Sequence, residues 1–195
     1  MDDALRALLD ELYRDGVRHD QAQPDRRARR RNLEPDAAAL LWVILRAMAA
    51  RTVVEIGTSN GYSTIWFADA VRAVHGRVVS VDVDPRAHRL ASANLAAAGL
   101  RESVELRTGD GGAVLAELPD AACDVLFLDS ERPEYPGWWP HPLRALRPGG
   151  LLAVDNVLSH PDEVAEFLAL IGADPDFTGS TIGVGKGLHL AWRHA

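Results

Sequence analysis

Between residues 52 and 171 the sequence alternates short strand-like runs with helical stretches, and this rhythm limits the possible folds more than any other feature. TVVEI (52–56) reads as a buried strand, and RVVSVDV (77–83), SVELRTG (103–109), CDVLFLD (123–129) and GLLAVDN (150–156) follow as four more. Helical patterns separate them, among them YSTIWFADAVRAV and PRAHRLASANLAAAG, the latter closed by Gly99 at the C′ position. Strands alternating with helices at this spacing predict a parallel sheet covered by helices on both faces. After the helix DEVAEFLALI the rhythm changes, and FTGSTIGVG (177–185) with GLHLAWR (187–193) predicts a closing antiparallel hairpin. Upstream, Leu5, Leu8, Leu9 and Leu12 share one helical face, which predicts a helix over 2–15. A second helix begins near Pro35 and carries the apolar run AAALLWVILRAMA. The expected architecture is therefore a doubly wound α/β fold with a mostly parallel seven-stranded sheet. At roughly 150 residues per domain, 195 residues make one domain, with 1–50 as a helical segment and 51–195 as the core.

Composition narrows the function classes. The single Cys123 sits in a hydrophobic run, which excludes a disulfide framework and a cysteine-based zinc site. Apolar runs such as AALLWVIL stop short of the roughly 20 residues that a membrane span requires, so no membrane partner is expected. MDDALRALLDELYRD is acidic and amphipathic, unlike a secretory signal, and the cytoplasm is the expected compartment. A formal charge of -7 argues against nucleic acid as a partner. PDRRARRR departs from that balance by crowding Arg26, Arg27, Arg29, Arg30 and Arg31. It reads either as a solvated segment beside the acidic first helix or as a seat for an anionic substrate tail or partner.

In a doubly wound sheet ligands bind at the carboxyl ends of the strands. Those ends supply Glu55 to Gly61, Asp82, Gly109 to Gly111, Asp129 to Arg132, and Asp155 with Asn156. The plain alternative is that such aspartates cap the next helix, and for Asp84, directly before Pro85, capping is the preferred reading. VEIGTSNGYS is a glycine-rich turn in which Gly57 and Gly61 permit close backbone approach. Ser59 stands where the dinucleotide pattern has its second glycine, which argues against a pyrophosphate cofactor such as NAD. Asp82, 25 residues after Gly57, is placed to accept hydrogen bonds from ribose hydroxyls. The combination suggests a nucleoside-containing ligand without a pyrophosphate.

VVEIGTSNGYST, SVDVDP, TGDG, DVLFLDSE and LRPGGLLAVDNVLSH occur in this order and spacing over roughly residues 32–193. This run resembles the class I S-adenosylmethionine-dependent methyltransferases, and more narrowly the small O-methyltransferases related to catechol and caffeoyl-CoA O-methyltransferase. The resemblance implies a Rossmann-like fold, S-adenosylmethionine as cofactor and a small hydroxylated, catechol-like acceptor in a homodimeric enzyme. By position it implies that Glu55 and Gly57 line the methionine part of the cofactor, with Tyr62 and Ser63 nearby. Asp82 would hold the ribose hydroxyls and Asp110 and Gly111 lie beside the adenine, while Ser59, Gly61, Val83 and Gly109 complete the expected cofactor-binding set. Asn32 and Leu33 match a segment that closes over the methionine end. Asp129, Asp155 and Asn156 match three ligands for magnesium, with manganese or calcium as substitutes, and Asp129 also borders the cofactor. Oxygen donors of this kind suit magnesium and leave room for a bidentate diol.

Several positions depart from that pattern. Arg132 stands where relatives carry a lysine proposed as the general base; arginine stays protonated, so Arg132 is expected to orient an anionic substrate or stabilise a phenolate. The base is unassigned: His160 and His141 are candidates, each with an exposed-loop alternative. Trp138 and Trp139 in PEYPGWWP either wall the acceptor pocket or pack on the sheet or a subunit interface. Lys186 replaces an expected acidic residue before the final strand. Two competing readings follow, a catalytically degenerate cofactor-binding protein marked by Arg132, and an NAD-dependent oxidoreductase.

Overall fold

Five parallel strands form the middle of the computed structural model, which describes residues 1–195 apart from the side chain of Arg27. They are β1 (Thr52–Ile56), β2 (Arg77–Asp82), β3 (Val104–Thr108), β4 (Cys123–Leu128) and β5 (Leu146–Val154). β6 (Phe177–Ile182) and β7 (Leu188–Arg193) close the sheet as the expected antiparallel hairpin, β7 lying against β5. The strand order is β3-β2-β1-β4-β5-β7-β6, so the order reverses between β1 and β4.

The buried strands place alternate residues on two apolar faces. Val53, Val78, Val125 and Phe127 face one core, which α1 (Asp3–Ala22), α2 (Pro35–Ala47), α3 (Tyr62–Arg72) and α4 (Pro85–Ala97) cover with Leu9, Leu41, Ile65 and Leu95. Val54, Val79, Leu126 and Leu128 face the other. There the cover is α5 (Gly111–Glu117), α6 (Tyr135–Trp138), α7 (His141–Ala145) and α8 (Pro161–Ala173), with Leu115, Tyr135, Ala145 and Phe167 pointing inward. Because α1 and α2 share one core with the sheet, the N-terminal helices help to build the wall of any site above β1. No helix among the described residues is long and apolar enough to cross a membrane.

Element boundaries shift where tertiary contacts override local signals. α1 runs to Ala22 rather than stopping near residue 15, because Gly16 is buried beneath Asn32; a Cβ there would stand 2.5 Å from Asn32 Nδ2. β5 starts at Leu146, four residues before the expected Gly150, since Leu146 already pairs with Cys123 ahead of a register shift. β2 ends at Asp82 and β6 at Ile182, both short of their expected ends. Trp139 joins the core, its ring centroid 6.1 Å from Phe167 and 6.2 Å from Phe177. That settles its alternatives in favour of packing.

Candidate active site

A cleft of about 1360 Å³ opens at the carboxyl ends of the strands, above the reversal between β1 and β4. Its floor is the turn after β1. Gly57 adopts φ +113° there and donates to Val81 O at 2.8 Å, which ties the turn to β2. Ser59 N donates to Asp82 Oδ2 at 2.8 Å, and Asp84 N donates to Asp82 Oδ1 at 2.9 Å. Two backbone donors thus fix the Asp82 carboxylate, and each oxygen keeps a second lone pair for a ligand. Asp84 caps α4 by accepting from Arg86 N at 2.8 Å, as expected.

Gly57, Ser59, Tyr62, Ser63, Asp82, Val83, Gly109, Asp110, Gly111, Asp129, Arg132 and Asn156 all lie on the cleft wall, as do Asn32 and Leu33. Two residues expected to meet the cofactor do not line the cleft. Glu55 is fully buried behind the turn, where it accepts hydrogen bonds from Ser63 Oγ (2.5 Å), Thr64 Oγ1 (2.5 Å) and Ser80 Oγ (2.6 Å). Burial pushes its carboxyl up to about 7 against the pull of those three hydroxyls. Glu55 therefore holds Ser63 in place from behind. Gly61 faces away from the cleft and packs on α4, where a Cβ would stand 2.9 Å from that of Ala91.

Asp129, Asp155 and Asn156 come together at the ends of β4 and β5. Asn156 Nδ2 donates to Asp129 Oδ1 at 3.0 Å and to Asp155 Oδ2 at 2.7 Å. Asp155 is 3% exposed, and its Oδ1 has no hydrogen-bond partner. Burial, then the neighbouring Asp129 carboxylate, pushes Asp155 up to about 8; burial also raises Asp129, opposed by Arg31, Arg132 and Lys186. An unpartnered buried carboxylate oxygen is costly, and two carboxylates side by side repel. A divalent cation fits this set, since the donors are all oxygens once the Asn156 amide is turned over. Among the described residues no group of three His, Cys, Asp or Glu side chains could hold an ion, so the amide is needed as the third donor.

Other buried polar atoms on the wall also lack partners: both amide atoms of Asn60, Asn32 Oδ1 and Ser130 Oγ. Buried polar atoms are ordinarily satisfied, so this cluster marks a surface shaped for a polar ligand. Asn60 and Ser130 were not singled out from the sequence; Asn60, between Ser59 and Gly61, carried the better signal. Trp138 does line the cleft, but at the Asp110 end, packed on Gly111 and Gly112, with its ring centroid 4.9 Å from that of Tyr135. His160 also lines the cleft, its imidazole lowered by burial and by Arg132, whereas His141 starts α7 away from it.

The arginine-rich segment is strapped across the cleft mouth instead of extending into solvent. Asp20 accepts from Arg30 N (2.7 Å) and Arg31 N (2.8 Å), Arg30 pairs with Asp15, and Ser59 Oγ donates to Arg30 O at 2.7 Å. Arg29 Nε donates to Gln23 O at 2.8 Å, and Arg31 reaches Glu131 at 3.2 Å; the Arg27 side chain lies outside the described residues. Arg132 is buried and bound to Glu163 Oε2 through Nε (2.8 Å) and Nη2 (2.7 Å). Lys186 pairs with Glu34 at 2.8 Å.

Comparison with known proteins matches residues 4–194 to a family described as O-methyltransferase. Over 130 residues the chain is 33% identical to a catechol O-methyltransferase of Niastella koreensis, covering 65% of this chain and 58% of that protein. It thus spans less than two thirds of that relative's length. An O-methyltransferase from Bacillus cereus, solved in complex with SAH, superposes with a TM-score of 0.81 at 25% identity, covering 96% of this chain and 90% of the other. TomG of Streptomyces achromogenes, an O-methyltransferase involved in tomaymycin synthesis and solved with SAM, superposes at 0.78 with 28% identity, covering 100% and 91%.

Proposed function

The chain belongs to the O-methyltransferase family, and from that premise we propose that it transfers the methyl group of S-adenosylmethionine to a hydroxyl of a small, catechol-like acceptor, assisted by a divalent cation at Asp129, Asp155 and Asn156. The observation that carries this reading is a single cleft joining two unlike ends: Asp82 and Asp110 at one, and a buried oxygen-donor set with an unpartnered Asp155 Oδ1 at the other. The cofactor supplies an electrophilic methyl on a sulfonium, and the cation, when bound, supplies a Lewis acid that orients and acidifies the acceptor hydroxyl.

The chain's own groups do the rest. Asp82, held by the backbone of Ser59 and Asp84, receives the ribose hydroxyls. Asp110 and the Trp138 face flank the adenine, while the unpartnered Asn60 amide and Ser63 serve the methionine end. The carboxylates along this wall favour a positively charged ligand. Asp129 and Asn156 face the acceptor side and set its hydroxyl toward the cofactor, an alignment that lowers the barrier by proximity alone. Arg132 cannot accept a proton, so its part is to stabilise negative charge on the acceptor, whose hydroxyl proton passes to solvent while the methyl moves to its oxygen and S-adenosylhomocysteine leaves.

The experiment is manganese binding to protein loaded with S-adenosylhomocysteine, followed by loss of the free-ion EPR signal. Manganese accepts the same oxygen ligands as magnesium. Wild-type protein is expected to bind it, and Asp129→Ala and Asp155→Ala to weaken binding by at least the roughly 10–100-fold that loss of even an outer-shell partner costs. Equal binding by all three proteins would remove the metal from the account.

A further inference from the structure

Asp129 and Asp155 share a neutral hydrogen-bond donor, the Asn156 amide, and the cations around them are tied to other carboxylates: Arg31 to Glu131, Arg132 to Glu163 and Lys186 to Glu34. Each such pair is neutral, so its effect on the two aspartates depends on which end it turns toward them. For Lys186 the fold fixes that end. The residue sits in the loop 183–187 between β6 and β7, flanked by Gly185 at φ +56° and Gly187 at φ +94°. A Cβ on Gly185 would stand 3.0 Å from that of Glu34, and one on Gly187 2.5 Å from that of Leu158. The loop is thus pressed between the start of α2 and the stretch that follows Asn156. Leu158 N and Ser159 N both donate to Lys186 O, at 3.1 and 3.0 Å, and Val157 N donates to Gly187 O at 3.0 Å. These bonds hold the lysine backbone beside the oxygen-donor set, with the residue on the cleft wall.

The ammonium pairs with Glu34 Oε1 at 2.8 Å, while Glu34 Oε2 accepts from the Tyr13 hydroxyl. That second bond keeps the carboxylate on the side of α1 and α2, so the pair turns its positive end toward the aspartates. Both of them register it. Lys186 opposes the burial-driven rise of Asp129 and of Asp155, and at Asp155 it outweighs Glu34. A fixed positive charge beside two carboxylates steadies them in the empty site and repels a second cation that comes to them. We propose that Lys186 sets the strength of the cation site: its ammonium weakens the hold of Asp129, Asp155 and Asn156 on a divalent ion and keeps that ion exchangeable. The inference rests on the cation reading of this site and adds the residue that tunes it. It also gives a consequence to the lysine that stands where an acidic residue was expected, since an acid there would strengthen the hold instead.

The test is a manganese titration of protein loaded with S-adenosylhomocysteine, read by the free-ion EPR signal, on the wild type, Lys186→Gln, Lys186→Arg and Glu34→Gln. Lys186→Gln is expected to tighten manganese binding about tenfold, the scale of one unit charge acting on a divalent ion across a solvated cleft. The gain should shrink as salt is raised, because the Lys186 side chain is 44% exposed. Lys186→Arg keeps the charge and should stay close to the wild type. Glu34→Gln removes the anchor and a negative charge together, so it should weaken binding. Calorimetric affinity for S-adenosylhomocysteine without metal should be the same in all four proteins, which separates a lost charge from a collapsed loop. Equal or weaker manganese binding in Lys186→Gln, equal tightening in Lys186→Arg, or a loss of S-adenosylhomocysteine affinity in Lys186→Gln would each overturn the proposal. The two readings fail differently. Manganese binding by the wild type without a gain in Lys186→Gln removes the tuning role alone, whereas no manganese binding by either protein removes the cation site itself.

Discussion

Asp155→Ala is expected to abolish methyl transfer without unfolding the protein: kcat/KM should fall by about 10³-fold or more, some 4 kcal/mol of transition-state stabilisation. Stability moves the other way or not at all. Asp155 is buried beside Asp129, its Oδ1 has no partner, and burial pushes its carboxyl up to about 8. Removing a buried carboxyl with an unpartnered oxygen does not weaken the apo protein, although the truncation leaves a small void. Asp155→Asn avoids that void and keeps an acceptor for Asn156 Nδ2, so it is expected to be as inactive as the alanine variant and at least as stable as the wild type. Initial rates and urea midpoints on all three proteins check both halves. A loss of stability that tracks the loss of activity would make Asp155 a structural residue.

Gly57→Ala is expected to remove cofactor binding and much of the stability together. A Cβ at residue 57 would lie 2.1 Å from the backbone oxygen of Asp129 and 2.8 Å from its carbonyl carbon, at φ +113°. Neither the backbone of β4's end nor that of the turn can give way without separating β1 from β4, which pair along Val53–Ile56 and Val125–Leu128. The cost is about 3 kcal/mol or more, the range for overpacking combined with a disallowed backbone. The displaced turn would also carry Ser59 N away from Asp82 and so release the carboxylate assigned to the ribose. Gly99→Ala is the control, since φ there is +67° but nothing lies within 4 Å of the added Cβ. It should cost about 1 kcal/mol and leave the calorimetric affinity for S-adenosylhomocysteine unchanged.

The strands of the mostly parallel sheet and the location of the cleft were legible because buried parallel strands write themselves as short apolar runs, and their ends carry the polar residues. Asp82, Asp110, Asp129 and Asn156 stand on the wall for that reason. Depth was not legible. Glu55 also follows an apolar run, yet it points back into Ser63, Thr64 and Ser80, hydroxyls that only the folded sheet brings together. The course of the arginine-rich segment depends on Asp15 and Asp20, ten or more residues earlier, whose carboxylates hold it across the mouth. Arg132 was expected near the acceptor and lies on the cleft wall, but its partner Glu163 lies 31 residues further along, on α8. Trp138 and Trp139 are adjacent in sequence yet differ in place, Trp138 buried in the core with one side on the cleft wall and Trp139 partly buried against the same core away from the cleft, because the chain turns between them at the end of α6.

The most direct measurement is transfer of a ¹³C-labelled methyl group from S-adenosylmethionine, with magnesium, to catechol and to 3,4-dihydroxybenzoate, read by NMR alongside the S-adenosylhomocysteine formed. The account predicts a new aryl methyl ether signal growing one for one with S-adenosylhomocysteine, and its loss in Asp129→Ala. S-adenosylmethionine that binds but stays intact with both acceptors would contradict it, and would leave a cofactor-binding protein in which the Arg132–Glu163 pair replaces a working active site.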